Sequence, residues 1–174
     1  MPDIMSTYTS KKALTENEGK EMLQEVQLAC FRVGSELYAL DIMRIKEIIR
    51  PQKLTPVPKA PSFIEGVINL RGSVIPVADM RKRFDLPIDE DTRKNRIVIC
   101  SLAKRNIGLL VDEVKEVKRF TRKEIAPSPQ FIQGAQADYF LGVARRDDDL
   151  IMLVDLEKVL SSEEKIELHK LTHD

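Results

Sequence analysis

Tryptophan is absent from this 174-residue chain, and aromatic residues make up only 5% of it. Proteins that hold single-stranded nucleic acid stack bases on aromatic rings, so that class is short of its tools here. An excess of one charge is missing too: 28 Lys plus Arg stand against 28 Asp plus Glu. Phosphate backbones and anionic lipids are met by basic faces, so neither nucleic acid nor direct membrane insertion is expected. No apolar run approaches the ~18 residues of a membrane span. The first twenty residues are polar and lack the apolar core of a signal peptide. Cysteine is scarce as well. Cys30 and Cys100 each lie in an apolar strand-like run without CxxC spacing. Sequence alone leaves a disulfide between them open, but nothing suggests secretion. The simplest reading is a cytoplasmic protein with both thiols buried and reduced.

Chemistry-bearing motifs are equally thin. The two histidines, His169 and His173, stand four apart near the carboxy terminus. They offer two zinc ligands with no obvious third. Asp147-Asp148-Asp149 lacks the alternate spacing and the glycine of a calcium loop. There is no GxGxxG, and Gly19-Lys20-Glu21 lacks the upstream glycine and the Ser/Thr of a phosphate loop. Catalysis needs positioned acids, bases or metal ligands. None is found, so no catalytic residue, metal or cofactor is expected. The chain reads as a protein that works by binding other proteins.

What is present is a series of short strands. Residues 1–25 form a polar tail without a sustained period. Leu28-Ala29-Cys30-Phe31-Arg32-Val33 and Glu36-Leu37-Tyr38-Ala39-Leu40 flank Gly34-Ser35 and predict a hairpin. Ile42, Ile45, Ile48 and Ile49 fall at helical spacing behind Asp41, a suitable N-cap, and predict a short amphipathic helix. Pro51, Pro56, Pro58 and Pro61 make residues 50–62 an ordered connection. Residues 66–70 and 73–77 form a second hairpin around Arg71-Gly72, followed by helical turns over 79–84. The second half repeats the scheme: strands at 96–102, 107–111 and 114–117, then a hairpin of 140–146 with 150–154 around Asp147 to Asp149. A helix from about Ser162 closes the chain. The basic clusters at 81–83, 118–119 and 122–123 read as solvated faces, or as docking points for an acidic protein surface.

The halves match each other. A shift of 76 residues places Gly66 on Gly142, Ile75 on Ile151 and Asp79 on Asp155. A shift of 69 places Ile42-x-x-Ile45-Lys46-Glu47-Ile48 on Val111-x-x-Val114-Lys115-Glu116-Val117. Two alignments in the same chain order favour a duplication, with matching segments of roughly 37–84 and 106–160. Each unit is too small to bury a good core alone. Short strands punctuated by Gly and Pro predict small barrels.

Residues 66–81, Gly-Val-Ile-Asn-Leu-Arg-Gly-Ser-Val-Ile-Pro-Val-Ala-Asp-Met-Arg, closely resemble the central signature of the bacterial CheW family of chemotaxis coupling proteins. Tyr38-Ala39-Leu40-Asp41-Ile42, the stretch from Pro58 through Phe63-Ile64, and Gly108-Leu109-Leu110-Val111-Asp112 support the resemblance. It covers about residues 26–170 and leaves 171–174 as a tail. Met80 stands where the family commonly has Leu. The resemblance implies a mainly β fold of two SH3-like five-stranded barrels with short helices and a carboxy-terminal helix. It also implies a scaffold that joins chemoreceptor cytoplasmic tips to the regulatory domain of the histidine kinase CheA, in arrays on the inner face of the membrane. Arg71 matches the family's functionally important arginine. With Glu47, its expected ion partner, and Gly66, it is expected to serve kinase coupling. Ile45, Ile48, Val114 and Val117 are expected to line a receptor groove between the halves. The competing readings are a coupler for a non-flagellar pathway and, from another class, a small-barrel nucleic-acid binder.

Overall fold

A computed structural model of the chain describes residues 24–88, 90–102, 104–127, 138–161 and 164. The first expected hairpin forms where predicted. β1 (Glu25–Val33) and β2 (Glu36–Asp41) run antiparallel with Val33 opposite Glu36, and Gly34 takes φ 62° in the turn between them. Asp41 caps the next segment, its Oδ1 accepting from the Met43 amide at 2.9 Å. That capped segment is not the expected helix. It is a single 3₁₀ turn (Ile42–Arg44), after which Ile45–Ile49 runs extended as β3. Isoleucine's branched Cβ suits a pleated surface, and pairing with the strand at 96–102 completes the override of helical spacing.

The remaining elements are β4 (Ile64–Leu70), β5 (Ser73–Asp79), helix α1 (Met80–Arg83), β6 (Arg96–Leu102), β7 (Arg105–Val111), β8 (Glu113–Thr121), β9 (Ile125–Ala126), β10 (Phe140–Arg146) and β11 (Asp149–Val154). They form two sheets, ordered β8-β1-β2-β11-β10-β9 and β3-β6-β7-β5-β4. Duplication is visible in this order, but the halves are not separate. The opening hairpin of the first repeat, β1-β2, lies between β8 and β11 of the second. The corresponding hairpin of the second repeat, β6-β7, lies between β3 and β5 of the first. Parallel pairings β11·β2 and β5·β7 seal the two exchanges. Thus each repeat lends its first hairpin to the other's sheet.

The expected mainly β fold with few helices is present, whereas two five-stranded barrels are not confirmed by the described strands. One sheet has six strands and the other five, and neither closes on itself among the described strands. The 3₁₀ turn after Asp41 carries the chain out of one sheet and into the other, so β3 cannot pair with β2. Side chains instead reach between the sheet ends: Arg146 of β10, the strand next to edge strand β9, donates to the Arg119 carbonyl of edge strand β8, and Arg71 at the β4-β5 turn pairs with Glu47 of β3. The expected amino-terminal tail, apart from Gln24 and Glu25, lies outside the described residues. So does the expected closing helix, apart from Glu164, together with both histidines and the tail at 171–174.

Exchange explains the core. Phe31, Val33, Tyr38 and Leu40 from the first hairpin pack with Val98, Leu109 and Val111 from the second and with Phe84, Val154 and Leu156 in one cluster spanning both repeats. Smaller clusters fill each sheet: Leu28, Cys30, Phe120 and Ile151 in one, Ile68, Val77, Ile97 and Ile99 in the other. Burial of branched aliphatic side chains stabilises by about 1.5–3 kcal/mol each, so neither small cluster stands comfortably alone.

Repeat-related hydrogen bonds mark the same symmetry. Asp79 N donates to Phe63 O at 2.8 Å, and Asp155 N to Tyr139 O at 2.7 Å. The carboxylates then cap the following turns, accepting from Arg81 N at 2.9 Å and Glu157 N at 3.0 Å. Gly66 and Gly142 each let a neighbouring carbonyl pass. A Cβ would stand 2.5 Å from Thr55 O in the first case and 2.3 Å from Ala126 O in the second. Between the repeats, the Arg83 guanidinium lies 4.3 Å from the Phe63 ring centre and 4.9 Å from that of Tyr139, and forks onto Glu164 at 3.0 and 3.0 Å.

Candidate partner-binding site

The β4-β5 turn has two central residues, with Leu70 opposite Ser73. Such a turn requires positive φ at both positions to match strand twist, and Arg71 and Gly72 have φ 51° and 87°. Glycine adopts this freely; an arginine there costs about 1 kcal/mol. The Asn69 side chain steadies the turn by accepting from Gly72 N at 3.0 Å. Arg71 therefore stands at a rigid tip, its side chain 71% exposed, with Nη2 donating to Glu47 on β3. Its fork remains open to water on the other sides, the arrangement that suits recognition of a partner carboxylate. Gly66 lies lower on β4, beside a register shift, where the two-way bridge Thr55–Val67 (2.9 and 2.9 Å) ties the preceding loop to the strand.

The repeat-related turn carries opposite charge. Asp147 takes φ 54° between Arg146 and Asp149, which face each other across β10-β11. Glu47 corresponds to Glu116. Two acidic ends cannot pair directly, and Lys118 joins them, 3.5 Å from Glu116 and 3.8 Å from Asp149.

The four expected groove residues divide by exposure. A bulge lies between the two members of each pair, so Ile45 and Ile48 stand opposite Cys100 and Val98, and Val114 and Val117 opposite Phe31 and Ala29, each pair on one face of its strand. Ile45 and Val114 are partly buried and pack against the same shared core from β3 and β8. Ile48 and Val117 lie farther along the same strands and are 42% and 52% exposed. The structure thus brings Ile45 and Val114 together inside and leaves Ile48 and Val117 as equivalent surface positions. Val74 and Leu150, also exposed, form a second equivalent pair. Sequence reading passes over them, although the 76-residue shift aligns them.

A buried ionic group backs α1. Arg81 forks onto Asp79 at 3.1 and 3.1 Å and reaches Asp112 Oδ1 at 3.2 Å; Asp112 Oδ2 accepts from Gly34 N at 2.7 Å. All three side chains are buried, and the group ties both opening hairpins to the first repeat's helix. The neighbouring carboxylates outweigh burial and hold the guanidinium's pKa above its ordinary value. Cys30 and Cys100 are free and buried, which resolves the disulfide left open by the sequence. Burial pushes the Cys100 thiol up to about 12 and raises that of Cys30. Both are protonated at neutral pH and poor nucleophiles. Among the described residues, no group of three or more His, Cys, Asp or Glu is placed to hold a metal. No described helix is long and apolar enough to cross a membrane.

Two interlaced sheets displaying paired surface positions and charged turn tips define a binding module, a scaffold class of protein. The chain matches the CheW-like domain model over residues 27–164 and belongs to that family. Chemotaxis protein CheW of Treponema pallidum is 34% identical over 152 residues, covering 85% of this chain and 89% of that protein. Protein FrzA of Myxococcus xanthus is 30% identical over 141 residues, covering 79% and 87%. The crystal structure of scaffolding protein TtCheW from Thermoanaerobacter tengcongensis superposes with a TM-score of 0.75 at 33% identity, covering 81% of this chain and 96% of that one. Like its family, the chain is a chemotaxis coupling adaptor and not an enzyme.

Proposed function

We propose that this adaptor couples the cytoplasmic tips of chemoreceptors to the regulatory domain of the histidine kinase CheA, in the cytoplasm at receptor arrays. The observation that carries the reading is the Arg71 tip, held left-handed in a two-residue turn and paired with Glu47. A side chain kept at a backbone cost and left exposed points to function rather than stability. Arg71 and Glu47 form the coupling contact, and Gly66 supports it by seating the Thr55 bridge beneath β4. Receptor helices meet Ile48 and Val117 in a helix-on-surface mode, while Ile45 and Val114 hold those strands against the core.

The test is a reconstituted mixture of receptor fragment, kinase and adaptor. Arg71→Ala is expected to change stability by no more than about 0.5 kcal/mol and to abolish most receptor-dependent kinase activation. A folded variant that activates the kinase like wild type makes Arg71 a turn residue and refutes the coupling role.

A further inference from the structure

The Arg83 guanidinium occupies a slot between two equivalent rings. Phe63 precedes β4 and Tyr139 precedes β10, and the 76-residue shift places one on the other. The guanidinium carbon lies 4.3 Å from the first ring centre and 4.9 Å from the second, within cation–π range of both. Glu164 closes the slot, its two oxygens accepting from Nη1 and Nη2 at 3.0 and 3.0 Å. This is no exposed surface pair: the two side chains are only 14% and 19% exposed. Nε is buried and has no hydrogen-bond partner among the described residues. The fork onto Glu164 therefore carries most of what offsets burial of the charge.

The fold does not demand a cation there. Arg83 corresponds to Val159, which is fully buried and packs in the shared core. Apolar residues commonly replace a buried ion pair without loss of stability, whereas removing one partner strands the other's charge. The residues that hold the guanidinium also anchor both repeats. The Phe63 carbonyl accepts from Asp79 N at 2.8 Å, and the Tyr139 carbonyl from Asp155 N at 2.7 Å. We propose that Glu164 keys a lock at the joint between the repeats. Seated, its carboxylate holds Arg83 against both rings; withdrawn, it frees both ring-bearing segments at once. Such a lock is a regulatory device. A partner that draws Glu164 from the slot loosens the entries to β4 and β10 together, without touching either strand.

Glu164 has a second role. Its Oε1 accepts from Ser161 N at 2.7 Å, and its amide donates to Ser161 Oγ at 3.1 Å, a reciprocal helix cap. Glutamine can keep that cap, because its amide oxygen accepts the same bond, but it cannot offer the guanidinium two oxygens. Glu164→Gln in the full chain thus breaks the lock and spares the cap, and amide hydrogen exchange reads the result. Exchange at Asp79 and Asp155 is expected to rise together, each by roughly tenfold, through local opening. Val98 and Ile151, at the centres of β6 and β11, are expected to keep their protection. Adding Arg83→Met places an uncharged, flexible side chain between the rings and is expected to restore protection at both aspartate amides. Faster exchange confined to Ser161 and Glu164, at only one of Asp79 and Asp155, or extending to Val98 and Ile151 overturns the proposal, as does unchanged exchange throughout. Failure of the double variant to restore protection overturns it too, since the stranded guanidinium is then not the cause. No receptor or kinase enters this measurement, so its result is independent of the coupling role of Arg71.

Discussion

The two repeats have the same strands and opposite turn chemistry. At the first, Arg71 pairs directly with Glu47; at the second, Asp147 stands at the tip and Lys118 links Glu116 to the neighbouring Asp149. A similar reversal occurs behind the hairpins, where buried Arg81 corresponds to Glu157, which is half exposed and pairs with Arg44. Backbone symmetry is thus retained where the core demands it, and charge symmetry is abandoned at the surface. An adaptor with two identical ends would offer the same contact twice. Opposite charges give the two ends different surfaces to present.

The shared core can be probed most strongly with alkali. Burial raises the folded-state pKa of Cys100 from 9.0 to about 12 and that of Tyr38 from 10.0 to about 12. The unfolded chain loses these protons first. Their contribution is therefore intact below about pH 9 and is lost as pH rises towards 12, at about 1.4 kcal/mol per pH unit for each group in its window. Denaturant melts across this range are expected to show the fall, with Cys100→Ala flattening its onset more than Cys30→Ala does. Equal flattening would remove the distinction between shared and local cores.

Charge asymmetry predicts the next effect. Arg81→Leu strands two buried carboxylates and is expected to cost about 3–5 kcal/mol. Glu157→Leu, at the matching position, breaks a surface pair worth about 0–1 kcal/mol. Chemical denaturation measures both, and similar losses would mean that the repeats carry their charges equivalently.

Smallest is the division of the strand residues. Ile45→Gln and Val114→Gln are expected to destabilise by about 1–3 kcal/mol, whereas Ile48→Gln and Val117→Gln stay within about 0.5 kcal/mol. Receptor binding should weaken with the second pair while kinase binding persists. Unfolding of the Ile48 variant would place that side chain in the core after all.

Much of the fold is legible in the sequence because the relevant signals are local. Gly34-Ser35, Arg71-Gly72 and Asp147-Asp148 mark the turns, Asp41 marks a cap, and the repeat shifts align the glycines that admit Thr55 and Ala126 carbonyls. The Arg71–Glu47 pair is legible too, through resemblance. β3 is not, because isoleucines at i, i+3 and i+4 satisfy a helix pattern, while its partner, β6, begins nearly fifty residues away. Hairpin exchange is illegible for the same reason: the pairings of β2 with β11 and of β5 with β7 depend on distant segments. The bulge at Lys46, which keeps Ile45 and Ile48 on one face of a strand as a helix would, is likewise beyond local sequence signals.

The most direct test of the adaptor itself is co-sedimentation of the full chain with a receptor cytoplasmic fragment and a CheA-type kinase. All three are expected in one complex, with receptor and kinase joined only when the chain is added. Receptor and kinase sedimenting together equally well without it would contradict the account.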